Sequence, residues 1–168
     1  MVSLSIVPPG PSSLLDRMRS WTYDLAGPGS RERFEKLKPP RNEYGVDPYG
    51  LDVDFVVAAI APFLWLYRKY FRVQVHGMEH VPAEGRVLLV ANHSGVLPWD
   101  GAMIKTGLRL EHPSRREARM LILDMFTTRP FLQPWLRHLG EVRACPENGE
   151  RLLTRGEVVG VFPEGVKG

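Results

Sequence analysis

Two short segments carry the side chains best suited to chemistry: Asn92-His93-Ser94-Gly95-Val96-Leu97-Pro98-Trp99-Asp100 and Phe162-Pro163-Glu164-Gly165-Val166-Lys167. In the first, a histidine with a carboxylate nearby is the skeleton of a general base held in one tautomer. The carboxylate accepts from one ring N–H and leaves the other nitrogen free to take a proton from a hydroxyl. His93 and Asp100 are seven positions apart. A continuous helix would put them on one face but about 10 Å apart along its axis, too far for a hydrogen bond. Gly95 and Pro98 oppose such a helix, so pairing requires the loop to fold back. The other reading makes His93 a plain loop residue and Asp100 a helix N-cap. In the second segment Glu164 stands in a tight Pro-Glu-Gly turn. Gly165 supplies freedom for a sharp exit, and Lys167 can hold an anionic group. The plain alternative is a turn that Pro and Gly form anyway.

Other chemistry is poorly supported. Gly160 and Gly165 have the glycine spacing of a phosphate-binding loop. Val166, however, displaces the lysine, while Pro163 and Glu164 put a missing donor and a negative charge where phosphates need N–H groups. Ser94 is not in a nucleophile elbow. His76 and His80, flanked by Gly77 and Pro82 with no acid at the metalloprotease position, read as surface residues, so no metal site is expected. Arg115, Arg116 and Arg119 suit either phosphate or a solvated helix start. Cys145, the lone cysteine, excludes an internal disulfide and a cysteine-based zinc cage. It has no base beside it in sequence and reads as inert.

Positioning these groups requires strand ends, and the chain after residue 73 supplies them. Expected strands are Val73 to His76, Val87 to Ala91, Met120 to Leu123, Glu141 to Ala144 and Val158 to Phe162. Expected helices run from Asp100 to Leu108, Pro130 to Leu139 and Gly149 to Arg155. The run Val87-Leu88-Leu89-Val90-Ala91 reads as a strand buried on both faces. Strands separated by helices imply an α/β fold with a mostly parallel central sheet, whose reactive groups gather at the strands' carboxyl ends. A length of 168 residues with 43% hydrophobic content can bury a real core. A formal charge of only +3 gives no reason to expect a nucleic acid partner.

The chain divides into residues 1–50, 51–72 and 73–168. The first fifty residues hold seven of the fifteen prolines and read as a loosely attached, partly disordered arm, with a short helix near Ser13 to Leu25. Nothing there resembles a signal peptide. Phe55 to Tyr67 is the most apolar window. Its thirteen residues span roughly 20 Å as a helix, short of the roughly 30 Å hydrocarbon core, and Pro62 should kink it. A transmembrane span is therefore not expected. The fringe Trp65, Tyr67, Arg68, Lys69, Tyr70, Phe71 and Arg72 suits a helix seated at a bilayer interface; a core helix is the equal alternative.

Together the two segments resemble the glycerolipid (lysophospholipid) acyltransferase family. So does the approach to the first, Gly77-Met78-Glu79-His80-Val81-Pro82, then Gly85, then the strand leading to Asn92-His93. The resemblance covers about residues 73 to 168. It implies that His93 is the general base and Asp100 its orienting partner. A glycerol hydroxyl then attacks the thioester of acyl-CoA or acyl-carrier protein, with no bound cofactor. Phe162, Pro163, Glu164 and Gly165 match a motif that helps hold the acceptor. Gly140-Glu141-Val142-Arg143 loosely matches another and makes Arg143 an acceptor-phosphate contact. The implied acceptor is a lysophospholipid such as 1-acylglycerol-3-phosphate, in phospholipid or glycerolipid synthesis at the cytoplasmic face of a membrane.

Three departures qualify this. Six residues rather than four separate His93 from Asp100, as in a divergent branch that takes neutral acceptors. Val166 and Lys167 replace Thr and Arg, weakening the case for a phosphate and keeping a mono- or diacylglycerol acceptor open. The chain ends before the family's fourth motif, so a C-terminally truncated fragment is expected. Such a fragment can bind lipid without turnover, and a hydrolase using His93 to activate water is a third reading.

Overall fold

The computed structural model describes residues 13–35, 46–93 and 98–164. Expectations for the remainder of the arm, and for Gly165 and Lys167, lie outside the described residues. An N-terminal helical layer comes first. Ser13 caps α1 (Leu14–Ala26), its hydroxyl accepting from Asp16 N–H at 3.1 Å, and Gly27 ends it at φ 85°. After α2 (Ser30–Glu35), Asp52 caps α3 (Val53–Ala59) by accepting from the N–H groups of Asp54 and Phe55. Pro62 sits in the first turn of α4 (Ala61–Trp65), so the expected break falls at Ile60. A π-helical turn, Leu66–Tyr70, follows.

Two expectations change here. Residues 14–26 are not a loose arm, because α1 packs against α3 and α4 and shares a core with Leu51, Val56, Val57, Ile60 and Leu64. The apolar window is also mostly a core helix. Tyr67 is 3% exposed and its hydroxyl donates to Glu111, so it faces inward. Arg68 keeps an exposed stem, yet its guanidinium donates to the carbonyls of Leu25 and Ala26 at the end of α1. Trp65, Lys69, Tyr70, Phe71 and Arg72 remain exposed.

The α/β half contains β1 (Val87–Val90), α5 (Trp99–Glu111), β2 (Ala118–Ile122), α6 (Asp124–Thr127) and α7 (Leu132–His138). They are followed by β3 (Val142–Arg143), α8 (Pro146–Thr154) and β4 (Val158–Val161). All pairings are parallel and the strand order is β1-β4-β2-β3. The parallel sheet flanked by helices matches the expected class. Helix α5 covers one face through Leu108 with Ala118, Met120 and Val158. Helix α8 covers the other through Leu152 with Val159 and Val142. Gly160 of β4 faces Met120, where a Cβ would overlap the methionine sulfur.

The expected strand at residues 73–76 does not form; that segment has no regular structure and lies outside the sheet. Strand β1 is an edge strand rather than a doubly buried one, with Leu88 52% and Val90 61% exposed. Arg116 and Arg119 hold the fold together. Arg116 donates to the carbonyls of Pro82, Gly85 and Gly156. Arg119 is buried between Asp47 and Glu157.

A second buried cluster joins α5 to the sheet. Arg109 Nε donates to Glu117 at 2.6 Å, while Lys105 meets Glu117 at 3.6 Å and Glu141 at 2.7 Å. Burial alone would raise the Glu117 carboxyl, but Arg109 and then Lys105 outweigh it and hold it below the ordinary range. A depressed acid contributes stability above its unfolded pKa, lost as pH falls through the folded value. Melting temperature should therefore drop below about pH 4, and Glu117→Gln should flatten that part of the melting-temperature profile. Equal acid slopes for wild type and variant would refute the assignment.

Candidate active site

Parallel pairing places the two chemical segments side by side. Val90 of β1 pairs with Val161 of β4, and His93 and Glu164 each lie three residues beyond that pair. Neighbouring strands are about 4.8 Å apart, so equal offsets bring both exits together at the carboxyl edge. The backbone N–H of His93 donates to Glu164 Oε2 at 2.9 Å, tying the loop after β1 to the turn after β4.

His93 and Asp100 lie within hydrogen-bond distance of each other. His93 Nδ1 lies 2.7 Å from Asp100 Oδ2, with the side chains 19% and 21% exposed. Because a carboxylate only accepts, this contact places the ring proton on Nδ1 and leaves Nε2 with a lone pair. No described residue hydrogen-bonds Nε2. Asp100 is not an N-cap: it lies inside the first turn of α5, and its Oδ1 accepts from Gly101 N–H at 2.8 Å. The Phe162 ring packs 5.0 Å from the His93 ring, centroid to centroid. Gly101 lies against that ring: a Cβ there would meet Phe162 at 3.3 Å, so the ring would have to give by a few tenths of an ångström. Pro163 is exposed in the turn.

Arg143 stands elsewhere on the same edge. It ends β3, and its guanidinium forks onto Asp124 just beyond β2, with one bond at 2.6 Å. That bond holds Asp124 below and Arg143 above their ordinary pKa values. The pair lines a cleft of about 430 Å³ with Gln133, Arg137 and Asn148. The carboxyl edge thus presents, in strand order, His93, Glu164, Asp124 and Arg143.

Sequence reasoning named Glu164 but not its contact with His93, and it missed Asp124 and Trp99. Glu164 reaches the His93 backbone, a role that depends on β4 lying beside β1. Asp124 engages Arg143, although the two are 19 positions apart. Trp99, 40% exposed, lies 6.4 Å from the rings of both Phe63 and Phe71, extending the aromatic fringe to the residue before Asp100. Adjacency to Asp100 was the available signal for Trp99.

A model of the Acyltransferase family matches residues 72–167, a span that holds the His93–Asp100 pair and the Phe162–Glu164 turn. The chain belongs to that family. An uncharacterized protein of Mycobacterium leprae is 44% identical to this acyltransferase-family chain over 127 residues, covering 75% of the chain and 35% of the relative. Uncharacterized proteins of Mycobacterium bovis and Mycobacterium tuberculosis are 42% identical over 127 residues, covering 75% of the chain and 36% of each relative. The chain therefore spans about a third of the length of these curated relatives. No solved structure matches the chain. No described helix is long and apolar enough to cross a membrane.

Proposed function

We propose that this chain carries the catalytic centre of an O-acyltransferase that moves a fatty acyl group from a thioester to a glycerolipid hydroxyl. The single observation carrying the reading is the His93–Asp100 pair, whose Nε2 no described residue engages, beside the β4 turn. Nε2 accepts the hydroxyl proton as the acceptor oxygen bonds to the thioester carbonyl carbon. Asp100 stabilises the resulting imidazolium. Collapse of the tetrahedral intermediate breaks the C–S bond, and the departing thiolate takes the proton from Nε2. Ester and free thiol result, and His93 returns to its starting state. Acyl-CoA or acyl-carrier protein supplies the thioester.

The acceptor site proposed is the carboxyl edge between His93 and Arg143. Engagement of Arg143 by Asp124 favours a neutral mono- or diacylglycerol over 1-acylglycerol-3-phosphate, because a phosphate must compete with a carboxylate already bound bidentately. Trp65, Tyr70, Phe71 and Trp99 are proposed to seat this side of the molecule at a bilayer interface, with Lys69 and Arg72 toward headgroup phosphates.

Incubating the chain with labelled acyl-CoA and a panel of neutral and phosphate-bearing acceptors tests this reading. Label should appear in acceptor ester, neutral acceptors leading. Acyl-CoA loss that is independent of any acceptor would instead mark a hydrolase using His93 to activate water.

A further inference from the structure

Helices α6 and α7 present an apolar surface that the chemistry above does not use. Neither helix has a buried residue. Phe131, in the link between them, is 95% exposed, Met125 50% and Trp135 41%, with Leu123 and Leu132 at 36% each. Scattered single apolar residues are ordinary on a protein surface, but several on two short helices packed together mark a contact surface.

Charge says which contact. From residue 125 to 140 the ionisable side chains are Arg129, Arg137 and His138, with no Asp or Glu. Arg129 has no ion-pair partner among the described residues, whereas the Arg137 side chain turns toward Gly50 and the cleft beside Asp124. Asp124, which opens α6, is already bound by Arg143, so the exposed aromatic and aliphatic side chains with Arg129 beside them complement an anionic bilayer. Rings suit the headgroup boundary and guanidinium groups the phosphates. Position agrees: α6 starts two residues beyond β2, at the sheet edge that carries His93 and Glu164.

We propose that the outer face of α6 and α7 docks on an anionic lipid surface, with Phe131 and Trp135 at the acyl boundary and Arg129 at the phosphates. This contact is separate from residues 65–72, which belong to the N-terminal layer. Only its use in presenting lipid to His93 rests on the reading above. With both contacts made, the carboxyl edge faces the bilayer, and an acceptor held in the membrane reaches the base without leaving lipid.

Phe131 is the clean probe, because its exposure leaves little packing to lose, whereas Trp135 also touches Phe55 edge-on at 6.1 Å. The experiment is flotation of the chain with vesicles of phosphatidylcholine alone and of phosphatidylcholine mixed with phosphatidylglycerol. Phe131→Ala should lower partitioning onto the mixed vesicles by about tenfold with an unchanged melting temperature. Arg129→Glu should weaken binding to mixed vesicles and leave phosphatidylcholine binding unaltered. Lys69→Glu with Arg72→Glu reports on the N-terminal contact separately. If that pair abolishes flotation while Phe131→Ala stays within about twofold of wild type, this proposal fails and the seating by residues 65–72 survives. Failure of the wild type to float overturns both. Sedimentation adds a last check: a wild-type dimer that Phe131→Ala converts to monomer would assign the face to a second copy instead.

Discussion

His93→Ala is expected to abolish acyl transfer while leaving the fold intact. General-base catalysis is worth roughly 10²–10⁴-fold, and no other described side chain offers a ring nitrogen beside Glu164 and Asp100. The substitution removes a part-buried ring from a loop and one hydrogen bond, a loss of about 1 kcal/mol. Asp100 keeps Gly101 N–H as a partner. Asp100→Asn should also cost activity, since an amide can donate to Nδ1 and thereby favour the tautomer with its proton on Nε2, where the lone pair is needed. Steady-state rates with a fixed acceptor, read beside thermal melts, decide the matter. An alanine variant retaining about a tenth of the activity would remove His93 from the role of base.

Asp47→Ala should be the most destabilising single change in the described chain. Asp47 is 3% exposed and binds Arg119, itself 2% exposed in β2. Its Oδ1 also accepts from the N–H groups of Tyr49 at 2.9 Å and Leu51 at 2.7 Å. Arg119 has Glu157 as its other acid, at 2.7 Å, and its Nη1 lacks a partner, so little reserve exists. Removing Asp47 leaves Arg119 its pair with Glu157 but strands a guanidinium N–H and the N–H groups of Tyr49 and Leu51, each at a cost of about 1–3 kcal/mol. For a chain of this length the losses together are roughly 10 °C in melting temperature. Because Asp47 precedes α3 while Arg119 lies on the sheet, the loss should loosen the helical layer from the α/β half. A shift under about 2 °C in the single variant would mean that water replaces the carboxylate without penalty.

Local composition carried much of the α/β half. Val87 to Val90, Ala118 to Ile122 and Val158 to Val161 are strands because apolar runs bounded by Gly, Pro and charge can be buried only as short sheet segments. Pro62 broke its helix at the expected place for a purely local steric reason. Periodicity could not supply neighbours. The β1 run looks doubly buried in composition, yet Leu88 and Val90 are exposed because α8 does not extend across the edge strand. Val73 to His76 has strand composition but finds no sheet edge. Tyr67 and Arg68 belong to an aromatic and basic fringe in sequence. Which of its members turn inward was decided by α1 and Glu111, elements 40 or more residues away.

The site divides along the same line. The sequence by itself determined which groups are present, the Asn-His-Ser and Phe-Pro-Glu-Gly segments in that order at strand ends, and through them the family. His93 and Asp100, seven positions apart in number, would be too far apart on a helix to bond, so their 2.7 Å approach was the structure's to decide. So was the contact of Glu164 with the His93 backbone, which exists only because β4 enters the sheet between β1 and β2. Residue types and strand-forming runs are local and survive in one dimension. Strand order and loop closure depend on the free energy of packing distant segments, and only the assembled sheet expresses it.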